Sequence, residues 1–531
     1  MKIKSLKISK YKNVENIALE FKSDLITLMV GKNGLGKSNL IEVLALIFRD
    51  LDLLNNIDEF ESWAYHDDHF EYDIQYECYS DEVFIELKKD KFKISIRPKG
   101  SSIKVPFTEI DFKDFINGRK EKFLPKYIIG YYSGENKRIR DIIKQHEQLL
   151  FDELKKTSST NSAISDSGLR RLFFTENHHS QLLLLTLIVF KDHPNFKLKI
   201  DNLFANYLGI IGIKNFEIKF NNPDWNFRKI GGKNKGVDYL VDNFFEKVEN
   251  PFWNVKGKIN TLLNNLYNHQ IDLGSEPIGY DNKEKEDPRR FVEEFLWFNK
   301  INFERLSKEI TDFYKHPIDF FDALEATSVI EILNDIDFKV EKEGIPFPIK
   351  FNQLSEGEQQ LLTVLGLILV TGIDDCLFLL DEPDTHLNPE WQRNYVELLK
   401  EFNLNDENSH IFVSTHSPLL VQAFEDEDVL LFRKIGNKIF IDTDPHQIKN
   451  WRIDQVLQSD YFDIKNVRPP SIDDFMKKRE EILSKEVVTK EDIEYLKKID
   501  EEEGFLPSGE TLNDFKTVRL LREVISKIPK E

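Results

Sequence analysis

The sequence has 531 residues, enough for roughly two to four packed regions around a sizeable core. Lysine and arginine number 73 against 93 aspartate and glutamate, a formal charge of −20, which excludes a basic nucleic-acid coat over the whole surface and leaves room only for a local basic groove. Charged residues at 31%, with 23 glycines and 19 prolines, exclude collagen-like and linker-like chains. The two cysteines, Cys78 and Cys376, stand too far apart for a disulfide framework or a CxxC zinc site, so a reducing, cytoplasmic setting is expected.

Taken in chain order, the N-terminal stretch MKIKSLKISKYKNVENIALEF alternates Ile3, Leu6 and Ile8 with lysines, unlike the continuous apolar stretch of a secretory leader, and predicts a strand. Residues 25–50 read as an apolar strand (LITLMV), a glycine-rich turn, and a helix with Leu40, Val43, Leu44 and Ile47 at helical spacing. From about 69 to 98 three short alternating segments, FEYDIQYECY, VFIELKK and KFKISIR, predict an antiparallel meander, and Lys126–Tyr132 predicts a further strand. TSSTNSAISDSG at 157–168 has the composition of an exposed loop opening an insertion. Between 190 and 335 aromatic patches alternate with charged turns without a sustained heptad, so the insertion is expected to be globular and mixed.

From 351 the order is turn, apolar helix (Leu361–Val370), buried strand CLFLLD, helix (Pro389–Phe402) and buried strand HIFVST, a second α/β half. Beyond about 446 charges at helical spacing predict a helical tail. The longest apolar runs, Leu182–Phe190 and Leu361–Ile373, fall short of the roughly 18–20 residues that span a bilayer, so no membrane segment is expected.

Gly31-Lys32-Asn33-Gly34-Leu35-Gly36-Lys37-Ser38 matches G-x-x-x-x-G-K-S/T between a strand and a helix, the context a phosphate loop requires. Glycines let backbone amides approach phosphate, with Asn33, Gly34, Gly36 and Asn39 beside it. Lys37 would place its ammonium on the outer phosphates, and the Ser38 hydroxyl would ligate Mg2+. CLFLLDEP puts Asp381 and Glu382 at the C-terminal end of an apolar strand, where ligands of parallel sheets bind. Asp381 is assigned to Mg2+, and Glu382 to the water that attacks the γ-phosphate.

Leu354-Ser355-Glu356-Gly357-Glu358-Gln359-Gln360, about twenty residues before that strand, resembles the signature of ATP-binding-cassette (ABC) ATPases. The resemblance implies an α/β fold with an ABC-type P-loop NTPase core carrying an antiparallel β subdomain, a large mixed insertion and a helical tail. The expected boundaries are 1–190 and 346–445 for the halves of the core, 191–345 for the insertion and 446–531 for the tail. It also implies that Ser355, Gly357 and Glu358 meet ATP held by another copy, that Asp384 is the D-loop residue, and that His416 in IFVSTHSPLL is the switch histidine. Gln181 is the candidate Q-loop amide for Mg2+; His386 is either a contact or a packed, capping residue; His178 and His179 read as a polar turn instead of a metal site.

EGEQQ and DEPDTHLNP resemble the soluble branch that holds chromosome-maintenance, recombination-mediator and overcoming-lysogenization-defect ATPases. YYSGENKRI, RLFFTENHHSQ and WRIDQVLQSDYF are similar to restriction-associated and antiphage AAA-type ATPases, including the Septu ATPase. The implied function is a defence ATPase that pairs around two MgATP, as a homodimer or higher homo-oligomer, and gates a nuclease or toxin effector; the alternative is a recombination or repair ATPase that binds DNA when ATP is bound. IFIDTD at 439–444 reads as a strand-end turn and not a nuclease site. Two basic clusters, Arg119, Lys120, Lys122, Lys126, Lys137, Arg138 and Arg140, and Arg228, Lys229, Lys233 and Lys235, are candidates for nucleic acid, against the reading of a solvated face balanced by acids.

Overall fold

The segments Ile26–Gly31, Cys376–Asp381 and Ser409–Thr415 contain almost no charge, and each is a strand buried at every position. Strands buried on both faces belong inside a parallel sheet. The computed structural model describes residues 1–22, 25–53, 70–89, 91–102, 105–134, 139–144, 148, 151–152, 170–176, 178–221, 227–228, 239–240, 252, 255, 257–270, 293–371, 375–403, 409–424, 428–436, 438–443, 445, 448, 451–464, 473–485, 488–502, 517 and 520. Their strands are β1 (Lys2–Tyr11), β2 (Val14–Glu20), β3 (Ile26–Gly31), β4 (Tyr72–Cys78), β5 (Asp81–Lys88), β6 (Lys91–Pro98), β7 (Thr108–Glu109), β8 (Tyr127–Tyr132), β9 (Leu172–Phe174), β10 (Ile210–Asn221), β11 (Phe227–Arg228), β12 (Tyr239–Leu240), β13 (Glu293–Asn299), β14 (Leu333–Lys342), β15 (Ile349–Lys350), β16 (Cys376–Asp381), β17 (Ser409–Thr415), β18 (Asp428–Ile435) and β19 (Lys438–Asp442).

The central sheet runs β19-β18-β3-β17-β16-β8-β9. All its neighbours pair in parallel except β19, which folds back antiparallel on β18 at the edge. The segment IFIDTD thus supplies this edge strand, and Asp444 lies outside the described residues. β3 comes from the start of the chain yet is inserted between β17 and β18, so the two α/β halves read from the sequence close into one sheet. Registers Asp381↔Ser414, Asp381↔Tyr132 and Thr415↔Val30 align the C-terminal ends of β3, β17, β16 and β8. Ligands of parallel sheets bind beyond that edge.

A second sheet, antiparallel, has the order β2-β1-β4-β5-β6-β7. β4, β5 and β6 are the predicted meander, with alternating burial along β4. The N-terminal stretch differs from the single predicted strand: it breaks into β1 and β2, joined at Lys12 and Asn13. Lys12 takes φ +51°, a left-handed conformation that its sequence does not advertise, because glycine or asparagine is the usual occupant. Helix Lys37–Leu53 is buried around most of its circumference, and the core around it draws on both sheets: Leu6, Ile74 and Ile85 from one, Leu377 and Phe412 from the other. A helix that is apolar nearly all round is stable only when covered in this way.

A third sheet has the order β13-β10-β14-β15, and the stretch of sequence that supplies it also holds helices Gly257–His269, Lys300–Phe313 and Pro317–Val329. The loop 157–168 lies outside the described residues. Helices His179–Val189 and Glu356–Thr371 are buried almost throughout and pack on each other, with Leu187 Cδ1 3.4 Å from where a Cβ on Gly366 would stand. The chain divides into two units, 1–453 and 454–531. The second contains helices Asp473–Ser484 and Lys490–Glu502; Thr489 and Asp492 exchange hydrogen bonds, Asp492 N to Thr489 Oγ1 at 3.2 Å and Thr489 N to Asp492 Oδ2 at 3.0 Å, closing a capping box. No helix among the described residues is long and apolar enough to cross a membrane.

Candidate functional site

The aligned strand ends open into a cleft of about 580 Å³, within the range of sites for small ligands. Nine residues singled out in the sequence line it: Asn33, Gly34, Gly36, Lys37, Ser38 and Asn39 after β3, Asp381 and Glu382 at the end of β16, and His416 after β17. β17 separates β3 from β16, so the histidine enters between the phosphate loop and the acidic pair.

Lys37 is 5% exposed, and its Nζ donates to Gly31 O at 2.8 Å. Burial pushes its pKa down to about 8, with Glu382 and Asp381 pulling the other way. His416 Nε2 lies 2.8 Å from Lys37 Nζ and 3.3 Å from Glu382 Oε1. One ring nitrogen accepts from the ammonium or donates to the carboxylate, not both, so the histidine serves one neighbour at a time. The bond from His416 is the main reason that Glu382 is held below the ordinary glutamate pKa, against the opposing effect of burial.

Glu382 has φ +52°, a strained backbone for a residue with a side chain, fixed by its N–H donating to Ser414 O at 3.1 Å and to Ser414 Oγ at 3.1 Å. Strain of this kind costs about 1–3 kcal/mol and persists where the surroundings over-determine it.

Asp381 is 1% exposed and accepts a hydrogen bond from the Ser414 hydroxyl on Oδ1. Burial raises its pKa, with the hydrogen bonds of Ser414 and Ser38 opposing. Its Oδ2 is buried with no donor inside normal hydrogen-bond distance among the described residues. A hydroxyl and a carboxylate oxygen with spare acceptor capacity, beside a phosphate loop, suit Mg2+, which takes one or two protein oxygens and completes its shell with phosphate and water. No group of three or more His, Cys, Asp or Glu that would bind a metal without phosphate occurs among the described residues.

The other sequence candidates stand elsewhere. Gln181 does not border the cleft; its Nε2 donates to Asp335 Oδ1 at 3.1 Å, on the insertion sheet. Ser355, Gly357 and Glu358 form the N-terminal turn of helix Glu356–Thr371, away from this chain's own cleft. Ser355 is exposed, and a reciprocal pair, Ser355 N to Glu358 Oε2 at 2.9 Å and Glu358 N to Ser355 Oγ at 3.3 Å, caps the helix. Glycine is required at 357 because a Cβ there would stand 2.5 Å from His386 O. His386 is therefore a packing residue of that turn: its N–H donates to Gln360 Oε1 at 3.1 Å, and its ring Nδ1 is 3.0 Å from Glu356 Oε2.

Asp384 likewise does not line the cleft: it is 4% exposed, and the Thr415 hydroxyl donates to its Oδ2 at 2.8 Å. Burial raises its pKa to about 6. A folded pKa above the unfolded value means that its stability contribution is complete below about pH 4 and is lost as pH rises through about 6. The isosteric change Asp384→Asn is therefore expected to raise stability at pH 7 by about 1–3 kcal/mol and to flatten the pH dependence between 4 and 6, read as urea midpoints at both ends. An unchanged slope would show that the carboxyl is not strained.

His178 is the turn residue before helix His179–Val189 and His179 is its first residue; His179 is buried, and the pKa of His178 is pushed down to about 4, mainly by desolvation. Of the basic clusters, Arg119 is buried and Arg140 pairs with Glu176 at 2.8 Å, while Lys137, Arg138, Lys229, Lys233 and Lys235 lie outside the described residues. Of five further lining residues, Tyr132 and Ile139 fall in the segment YYSGENKRI, while Lys12, Asn13 and Glu42 belong to no motif. Glu42 was within reach of the sequence, as a carboxylate on the inner face of an apolar helix; it is 1% exposed and accepts from Tyr11 OH at 2.9 Å.

The family model described as "AAA domain, putative AbiEii toxin, Type IV TA system" matches residues 229–422, a span that holds the signature turn, the acidic strand and His416 but begins after the phosphate loop. The "Retron Ec83 probable ATPase" of Escherichia coli is 28% identical over 109 residues, 18% of this chain and 19% of that protein. The "Retron Vc95 probable ATPase" of Vibrio cholerae serotype O1 biovar El Tor is 31% identical over 111 residues, 19% and 21% of the two chains. The chain thus matches about a fifth of the length of these relatives. Solved structures that align with it include an SMC head domain from Thermotoga maritima (12% identity, 83% of this chain and 99% of that one, TM-score 0.31). The recombination mediator protein RecF also aligns (15%, 83% and 97%, TM-score 0.30). At such TM-scores the fold is judged on the strand order given above. The chain resembles AAA-type ATPases of the AbiEii and retron-associated kind.

Proposed function

We propose that this chain binds and hydrolyses ATP in the cleft at the ends of β3, β16 and β17, and that two copies close around two MgATP to regulate a nuclease or toxin partner in antiphage defence. One observation carries the ATPase reading: Lys37, Ser38, Asp381, Glu382 and His416, from three separate regions of the sequence, line a single cleft on adjacent parallel strands. The defence role rests on the resemblance to retron-associated ATPases.

Lys37 holds the outer phosphates, giving up its bond to Gly31 O. With Lys37 engaged on phosphate, His416 Nε2 is released from the ammonium and turns to Glu382 or to the γ-phosphate. Glu382, kept ionised, orients the attacking water and takes its proton. Mg2+, held by Ser38 and Asp381, would neutralise charge that builds on the phosphate oxygens.

A second copy is invoked because Ser355, which the signature resemblance assigns to ATP, is exposed at a helix N-terminus and borders none of this chain's cleft. Mass photometry of the 62.6 kDa chain is expected to show mass doubling, or a higher even multiple, with Mg2+ and a nonhydrolysable ATP analogue. A monomer that hydrolyses ATP at full rate at every dilution would refute the paired site.

A further inference from the structure

We propose that Asn13, in the turn between β1 and β2, is a positioning residue of the phosphate loop, clasping it from outside and fixing the direction in which its amides point. The proposal rests on the nucleotide reading of the cleft. The Asn13 side chain meets the loop at two points: Nδ2 donates to Gly34 O at 2.8 Å, and Oδ1 accepts from Asn39 Nδ2 at 2.5 Å. One amide thereby ties the middle of the loop to the first turn of the helix that follows.

The contact also accounts for a glycine. Gly36 has φ +96°, and a Cβ there would stand 2.8 Å from Asn13 Oδ1 and 3.0 Å from Val14 Cγ2. The absent side chain at 36 is the space in which Asn13 sits.

Across a trans peptide the carbonyl and the next N–H point in opposite directions. With the Gly34 carbonyl held by Asn13, the Leu35 N–H faces away from the hairpin turn. A loop binds an anion through amides that converge, and a peptide free to flip would have to be ordered at the moment of binding.

The turn itself does not need asparagine at this position. Its left-handed residue is Lys12, at φ +51°, and Asn13 is not among the positive-φ residues, so the usual conformational reason for asparagine in turns is missing. The support beneath the clasp is rigid: Tyr11 OH donates to Glu42 Oε2 at 2.9 Å, and Lys12 Nζ pairs with the same carboxylate, which docks the turn on helix Lys37–Leu53.

The test uses the full chain as wild type, Asn13→Ala, Asn39→Ala and the double variant, with kcat and KM for MgATP and the Kd of a nonhydrolysable analogue. Asn13→Ala is expected to raise KM and Kd about tenfold while kcat stays within about threefold, because two hydrogen bonds that preorganise the loop are lost. The double variant is expected to be no worse than Asn13→Ala alone, since the Asn39 partner is already gone. Should Asn13→Ala fail to fold, Asn39→Ala, which breaks the same bond from the helix side, carries the test with an expected rise of about threefold. A KM within twofold of wild type for the folded variants, or effects that multiply in the double variant, would overturn the clasp. If wild type itself bound no MgATP, the reading of the cleft would fall, independently of Asn13.

Discussion

Glu382→Gln is expected to lower ATP turnover by about 10²–10⁴-fold while leaving MgATP affinity within a few-fold of wild type. Glutamine keeps the length and hydrogen-bonding shape of glutamate but cannot take a proton. The backbone that aims the side chain is set by bonds the substitution does not touch, from Glu382 N to Ser414 O and Oγ, both at 3.1 Å. His416, with Nε2 3.3 Å away, holds the wild-type carboxylate below the ordinary glutamate pKa in spite of its burial, so it stays ionised at neutral pH. The variant should therefore trap ATP and accumulate in the paired state, read together as single-turnover hydrolysis and mass photometry. Turnover unchanged in the variant would remove Glu382 from the chemistry.

Lys37→Ala is expected to raise the Kd for MgATP by about 100-fold or more and to abolish measurable hydrolysis, checked by titration calorimetry. A charge-assisted hydrogen bond contributes about 1.5–3 kcal/mol, and an ammonium shared between two phosphate oxygens makes two of them. The thermal midpoint separates this result from loss of fold. Burial disfavours the ammonium and pushes its pKa down to about 8, so its removal should leave the thermal midpoint of the ligand-free chain unchanged or higher. Binding within tenfold of wild type would show that phosphate is held by loop amides alone.

The contrast between the two predicted halves of the site is instructive. The phosphate loop, Asp381, Glu382 and His416 were legible because each sits at the end of an uninterrupted apolar strand, and strand ends on one edge of a parallel sheet must converge. Gln181 was not, because its assignment depended on which neighbour its helix would face, and that neighbour is Asp335 of the insertion. Asp384 follows Glu382 by two residues but turns inward to Thr415, since the left-handed step at Glu382 redirects the chain. Lys12 and Asn13 lay inside a segment read as one strand, and no glycine or proline marked the turn that brings them to the loop.

The amino-acid sequence alone determined which residues stand at the strand ends, because periodicity and short motifs are local properties. Tertiary packing decided which non-motif side chains share the cleft and which motif residues are withheld from it. Those outcomes depend on the docking of the antiparallel sheet over helix Lys37–Leu53, and on how the signature helix buries its flank against His179–Val189. Such contacts join residues far apart in the chain, and no local pattern encodes their distances.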